Sequence, residues 1–308
     1  GLLPLWTQTL LVRGKCANSC GAIYLKRRMS KALAAIQGIL CCPHCAGAVK
    51  VTGSTVQCEA GHSFDIARQG YVNLLTNQTF IKNADTAEMV EARQAMHKRP
   101  FFQDLANQIL DIYEGIFQNI PAPTVVEPGG GTGFYANAIM TRFDTASALS
   151  FDISTYAAKV CARQSERVAS VVADVWQRWP IADDSADVVL SVFSPRNFIE
   201  TERVMKIGSV RIVVTPEENH LVELRTKFNA LGIERDKGEK IAKSLENFTN
   251  IHQSVHESIE LLDGSAQCDS LLSGPNGHHV SVEDIQLFSQ AEPIKVTHCV
   301  NISVWKLG

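Results

Sequence analysis

Val125-Val126-Glu127-Pro128-Gly129-Gly130-Gly131-Thr132-Gly133-Phe134-Tyr135 is the stretch whose reading decides the fold. A short apolar run passes an acid and then turns through glycines into a helix-forming segment. Glycine admits positive φ and lets a ligand approach the backbone without meeting a Cβ. The first N–H groups of the following helix lack partners within it and are free to face that ligand. The pattern is Glu127-x-Gly129-x-Gly131-x-Gly133. A dinucleotide fingerprint spaces its glycines as Gly-x-Gly-x-x-Gly. Here the third glycine comes one residue early, and an acid stands two positions before the first. Such an acid suits a ligand end that carries an ammonium rather than a pyrophosphate.

Downstream, apolar strand-like runs at about 124–128, 147–152, 168–173, 187–193 and 208–215 alternate with helical ones, the rhythm of a doubly wound α/β sheet. Asp152 closes the second run and Asp174 the third. One such aspartate is commonly a helix N-cap, but acids at three successive strand ends fit a ligand cleft. The fourth run ends in Phe193-Ser194-Pro195-Arg196 and the fifth leads through Thr215-Pro216 to His220-Leu221. Residues 230–280 read as an insertion of mixed polarity. Residues 285–288 and 296–304 are expected to form an antiparallel pair that completes a seven-stranded sheet.

Upstream, Cys42-Pro43-His44-Cys45 precedes Cys58-Glu59-Ala60-Gly61-His62. The spacing Cys-x2-Cys-x12-Cys-x3-His is that of a closed tetrahedral zinc site, with Cys42, Cys45, Cys58 and His62 as ligands. Cys41 and His44 are alternatives that break the knuckle geometry. Strands near 49–51 and 55–57 would make a hairpin between the two knuckles, too small to fold without the ion. All four positions are filled by protein, so the zinc is expected to be structural.

Gly70-Tyr71-Val72-Asn73-Leu74-Leu75 follows, then Asp85-Thr86-Ala87-Glu88-Met89 and Glu91-Ala92-Arg93. From about residue 40 to the C-terminus, finger, linker motif and glycine turn together resemble the large-subunit ribosomal RNA guanine-N1-methyltransferase family. The resemblance implies a class I (Rossmann-like) methyltransferase fold plus a small N-terminal zinc-binding domain. It also implies S-adenosylmethionine as methyl donor and hairpin 35 of 23S rRNA as substrate, with methyl transfer to N1 of a guanine. Cofactor contacts would come from Phe102, Glu127, Gly129, Gly131, Thr132, Gly133, Asp152, Asp174 and His220. Tyrosine is the more familiar residue where this chain has Phe102. Some members confer resistance to tylosin-type macrolides, and the family is often dimeric. Rival readings are a small-molecule or lipid methyltransferase of the same fold, and a non-catalytic rRNA-binding factor.

The expected division is a zinc-binding RNA-recognition domain over 29–80 and a methyltransferase domain over 81–308. Residues 1–28 lack periodicity and read as an upstream extension or a disordered arm. Asp85 with Glu88 is expected to form a capping box opening a helix toward residue 96. Arg68, Lys82, Arg93, Lys98 and Arg99 are local basic groups that could meet phosphates, although solvated faces usually carry such residues. Hydrophobic content of 45% and charged content of 20% are ordinary for a globular protein, and the net charge of −3 does not advertise a nucleic-acid binder. No apolar run approaches the length of a membrane span, and nine scattered cysteines favour metal binding in a reducing compartment, the cytoplasm, over a disulfide framework.

Overall fold

A computed structural model of the chain describes residues 30–76, 84–117, 120–228 and 246–308. The extension expected over residues 1–28 and the lysine-bearing part of the insertion near 240 lie outside these.

The N-terminal part is a short helix α1 (Lys31–Ala35) and a three-stranded ribbon, β1 (Val49–Thr52), β2 (Thr55–Cys58) and β3 (Ser63–Asp65), with antiparallel pairing. The hairpin between the knuckles therefore forms as its spacing requires. Next come β4 (Val72–Asn73), α2 (Ala87–His97) and α3 (Pro100–Phe117). Thr86, not Asp85, caps α2, its hydroxyl accepting from the Met89 amide at 3.3 Å. Asp85 is turned instead toward Arg93 on the same helix. The capping box expected from Asp85 and Glu88 is corrected accordingly: an ion pair holds that carboxylate.

The remaining elements are β5 (Thr124–Pro128), α4 (Phe134–Arg142), β6 (Ser147–Asp152), α5 (Thr155–Gln164), β7 (Val168–Val172), β8 (Ala186–Val192), α6 (Phe198–Val204), β9 (Met205–Pro216), α7 (Val222–Lys227), β10 (Phe248–Leu262), α8 (Gly264–Leu272), α9 (Val282–Ser289) and β11 (Ile294–Leu307). One sheet runs in the order β10-β11-β9-β8-β5-β6-β7-β4. The strands from β9 to β4 are parallel, while β11 lies antiparallel to β9 and β10 antiparallel to β11. Val125 and Val126 are both fully buried because β5 is covered on its two faces, as central parallel strands are.

Two expectations are corrected. The sheet has eight strands rather than seven, because Val72 and Asn73 pair with Val171 and Val172 and add an edge from the ribbon side. The antiparallel partner of β11 is β10, drawn from the supposed insertion, and residues 285–288 are helical. A capping box starts that helix: the Ser281 hydroxyl accepts from the Asp284 amide, and the Asp284 carboxylate accepts from the Ser281 amide. β10 escaped notice because its polarity is inverted. Val255, Ile259 and Leu261 face solvent, whereas His256 and Glu260 turn inward toward α3.

Helix α3 begins with Pro100, whose missing N–H costs nothing at a helix start. It lays Phe101, Leu105, Ile109, Tyr113 and Phe117 on one face of the sheet. The other face shares its core with the ribbon: Leu33, Leu40, Val56 and Val72 cluster with Phe151, Val171, Trp179 and Ile181. Trp179 is 1% exposed, donates its indole N–H to the Val175 carbonyl at 2.9 Å, and meets Phe151 edge-on at 5.2 Å.

Replacing Trp179 by alanine should cost about 3–5 kcal/mol, the usual range for a large buried aromatic. Urea unfolding checks this; a midpoint that does not move would mean that ribbon and sheet do not share this core.

Candidate cofactor cleft and zinc centre

The ribbon's two knuckles are turns, one carrying Cys42 and Cys45 and the other Cys58 and His62, that converge on one point. The Ala46 amide donates to the Cys42 carbonyl at 2.8 Å, and the Cys58 amide donates to the His62 carbonyl at 3.0 Å. Ligand atoms of Cys42, Cys45, Cys58 and His62 all lie within 4.8 Å of one another. Cys45 Sγ is 3.7 Å from Cys58 Sγ, and His62 Nδ1 is 3.6 Å from Cys42 Sγ and 3.4 Å from Cys58 Sγ. A tetrahedral ion with Zn–S near 2.3 Å would separate its sulfurs by roughly 3.8 Å, so the set fits zinc. His44 instead lies parallel to Phe64 at 5.8 Å, and the Cys41 amide donates to the Pro180 carbonyl at 2.9 Å, stitching the ribbon to the sheet's connecting loop.

The glycine turn sits at the carboxyl end of β5, where open parallel sheets bind ligands. Gly131 adopts φ +56°, and its amide donates to Asp152 Oδ2 at 3.0 Å. Asp152 Oδ1 accepts from the Ser154 amide at 2.8 Å. Burial raises the Asp152 carboxyl above its usual range, with Asp85 adding repulsion and the two amides opposing both. Each carboxylate oxygen keeps a second lone pair for a ribose hydroxyl. Gly130, a free position in the sequence pattern, has no room for a side chain. A Cβ there would stand 2.2 Å from Ser150 Oγ and 2.4 Å from Glu127 Oε2.

Glu127 therefore lies behind the loop, 1% exposed, with Oε2 unpaired among the described residues. Burial pushes its carboxyl up to about 8, against hydrogen bonds involving Ser150 and the Ala136 backbone. Thr132 is wholly buried, its hydroxyl 3.4 Å from His97 Nδ1. The His97 ring stacks on Phe134 at 4.3 Å and touches Phe102 edge-on at 5.7 Å. Asp174 Oδ1 accepts from the Trp176 amide at 2.9 Å, which folds the turn after β7. Beside the loop, Ser194 and Pro195 approach so closely that a Cβ on Gly129 would meet them at 2.9 and 3.2 Å.

His220 has a different neighbourhood from the glycine turn. Its ring packs near Phe101, Phe193 and His298. Its Nδ1 accepts from the Cys299 amide at 3.0 Å, so the neutral ring carries its proton on Nε2. Burial, then His298, push its pKa down to about 3. Glu127, the glycines, Thr132 and Asp152 thus gather at one turn, while Asp174 and His220 stand at neighbouring strand ends. Arg93 and His97 also border the turn; Arg93 stands in the Glu91-Ala92-Arg93 motif, while the sequence signal of His97 was only the helix that carries it. Arg93 Nη1 lies 3.0 Å from where a Cβ on Gly131 would be.

Two outcomes follow from these geometries. Metal analysis should find zinc, and chelation should speed hydrogen exchange at Leu74, whose amide donates to the Val172 carbonyl at 2.9 Å, while β5 stays protected. Unchanged exchange at Leu74 would contradict a structural ion. For Glu127, the folded carboxyl holds its proton up to about 8, but the unfolded one loses it near 4.5. Between these values the folded state binds more protons, so stability falls as pH rises. Wild type should lose roughly 1.4 kcal/mol per pH unit more than Glu127→Gln between about pH 5 and 8. Parallel pH profiles from thermal unfolding would show that the carboxyl ionises normally.

Comparison with known proteins places this architecture. The family model described as "RlmA, N-terminal" matches residues 40–79, and a methyltransferase-domain model matches residues 126–209. A 23S rRNA (guanine(748)-N1)-methyltransferase of Streptomyces fradiae is 35% identical over 245 residues, covering 79% of this chain and 87% of that protein. A protein of Micromonospora griseorubida, described as a candidate 23S rRNA (guanine-N1)-methyltransferase, is 35% identical over 82% of this chain and 90% of its own length. A similarly described protein of Bacillus subtilis is 34% identical over 60% of this chain and 66% of its own. Among the described residues no helix is long and apolar enough to cross a membrane. With a Cys3His ribbon sharing a core with a glycine-turn sheet, and relatives matched across most of their length, the chain belongs to the 23S rRNA (guanine-N1)-methyltransferase family.

Proposed function

We propose that the chain transfers a methyl group from S-adenosylmethionine to N1 of a guanine in hairpin 35 of cytoplasmic 23S rRNA. The observation that carries this reading is the joining of ribbon and glycine-turn sheet into one core, in a chain 35% identical to its Streptomyces fradiae relative. The cofactor, when bound, supplies a sulfonium methyl group open to attack by nitrogen.

The chain's own residues divide the work by position. Gly129, Gly131, Thr132 and Gly133 shape the turn that would receive the methionine end, with Glu127 as the buried acid beneath it. Asp152 would accept from ribose hydroxyls, Asp174 would flank the adenine, and Phe102 would close the cleft as an apolar wall. The family's aromatic hydroxyl is missing there. His220 is neutral and protonated on Nε2, so it offers a donor to cofactor or base and does not abstract the proton from N1.

Guanine N1 lies on the Watson–Crick edge and is reachable only when the base leaves its pair. Phe193, at the tip of β8, is 42% exposed and held at φ +51°. Its ring would stack on an extruded purine. Ser194 and Pro195, packed on Gly129, would set that purine against the donor, and alignment of this kind supplies much of a transfer enzyme's rate. The zinc ribbon would contact RNA backbone and shape.

Purified enzyme and S-adenosylmethionine should place a reverse-transcription stop at a guanine of hairpin 35, because N1-methylation blocks Watson–Crick pairing. Phe193→Ala should lower kcat/KM for RNA by about 5- to 100-fold, the value of one aromatic–base stack, with donor affinity unchanged. The absence of any stop in 23S rRNA would overturn the assignment.

A further inference from the structure

The motif Glu91-Ala92-Arg93 marks the family resemblance, yet nothing above gives it a task. Arg93 is not the solvated cation that its sequence context suggests. Its side chain is 23% exposed and the Asp85 carboxylate that it pairs with is 14% exposed. Nε and Nη2 donate to the Ser273 carbonyl at 3.2 and 2.8 Å, and Nη1 donates to Asp85. Asp85 is itself held from behind, its backbone carbonyl accepting from the Ser154 hydroxyl at 2.7 Å. Helix α2, the C-terminal end of α8 and the turn after β6 therefore converge on one guanidinium.

That guanidinium rests on the glycine turn. A Cβ at Gly131 would lie 3.0 Å from Nη1 and 3.7 Å from Cδ, so glycine here makes room for the arginine as well as for a ligand. Acids border the guanidinium, and the His278 ring lies 4.0 Å from the Asp85 carboxylate on its far oxygen. Asp85, Glu127 and Asp152 supply carboxyls, and His97 is uncharged because burial, then Arg93, bring its pKa down to about 3. A zwitterionic amino-acid end brings one ammonium and one carboxylate to this turn. Acids can receive the ammonium, but the carboxylate needs a cation. Among the described residues three of the five guanidinium N–H bonds are used, which leaves one on each terminal nitrogen, donors of the kind that a carboxylate accepts.

We propose that Arg93 is the residue that binds the carboxylate of the donor's methionine end, with Asp85 and the Ser273 carbonyl holding its fork in place. This rests on S-adenosylmethionine being the ligand of the glycine turn. It explains why an arginine on a helix outside the sheet accompanies the turn: the helix carries the counter-ion that the acid-lined cleft lacks. Lysine would keep the charge but lose the fork.

The test is calorimetric binding of two ligands, S-adenosylmethionine and its decarboxylated form, to the full-length wild type, Arg93→Met and Arg93→Lys. Zinc content and thermal unfolding serve as fold controls. The quantity read is the ratio of the two affinities, which a general loss of structure leaves unchanged. Wild type should prefer the carboxylate-bearing ligand by roughly 10- to 100-fold. Arg93→Met should abolish that preference while binding the decarboxylated ligand as before, and Arg93→Lys should fall between. Equal weakening of both ligands, or a preserved ratio, would make Arg93 a brace between helices and overturn the proposal. Should Arg93→Met prove insoluble, the Arg93→Lys ratio decides alone. A wild type that binds neither ligand would sink the donor assignment itself, a different result from a wild type that binds both without preference.

Discussion

The missing Cβ at Gly130 is the constraint on which the cleft depends. The backbone there is pressed onto Ser150 and Glu127 so closely that even an alanine would have to displace a buried hydroxyl and a buried carboxyl. With the loop seated this low, the Gly131 amide reaches the Asp152 carboxylate and ties the tip of β5 to the tip of β6. Helix α4 then starts at Gly133, with a left-handed residue and no side-chain cap. The Ala136 amide turns back to Glu127, and a helix start without a side-chain cap is how such termini serve as anion and ligand sites. A carboxyl buried under such a turn gains little solvation, so Glu127 keeps its proton near neutrality unless a cation comes to it.

The zinc centre acts on the same sheet through a short route. Cys58 ends β2, and the chain beyond His62 runs through β3 into β4, which borders β7. Leu40 bridges to Ile181, and the Cys41 amide is bound to the Pro180 carbonyl. The ion therefore fixes both ends of a ribbon that forms one wall of the Phe151–Trp179 core. A ribbon of this size buries too little apolar area to hold itself together. Metal affinity and sheet packing share that burden, and the placement of the ribbon relative to the cleft follows from the shared core.

Much of this was legible in the residues. The metal ligands were readable because tetrahedral coordination demands four donors in two tight turns, and the spacing Cys-x2-Cys-x12-Cys-x3-His supplies them. The central parallel strands were readable because burial on both faces makes them continuous apolar runs. The eighth strand was not: two residues, Val72 and Asn73, carry no periodicity, and their pairing is decided by the ribbon's docking. Arg93 was misjudged for a similar reason. A charged residue on a helix reads as solvated unless the partner is known, and of its neighbours Asp85, Gly131 and Ser273 the last lies 180 positions away in the chain.

β10 shows the deeper limit of pattern reading. Over 255–261 exposure alternates, but Val255, Ile259 and Leu261 face out while His256, Ser258 and Glu260 face in. The inward groups are satisfied in part by α3: Glu260 accepts from the Phe101 amide at 2.7 Å and from Arg99 at 2.8 Å, and Gln108 meets His256 at 2.6 Å. His298 enters the same layer, 1% exposed, stacked on Phe101 at 4.5 Å and held to about 4 chiefly by burial. Imidazoles that stay neutral can hydrogen-bond without the desolvation cost of a charge. The layer behind Phe101 and His220 is thus polar, with neutral imidazoles at His220 and His298 beside the Arg99–Glu260 ion pair. An apolar layer would have packed α3 as well, so stability alone does not account for it. His220, with its ring 5.9 Å from that of Phe193, carries this polar layer to the tip of β8, which ties the inverted polarity of an edge strand to the chemistry proposed for the cleft.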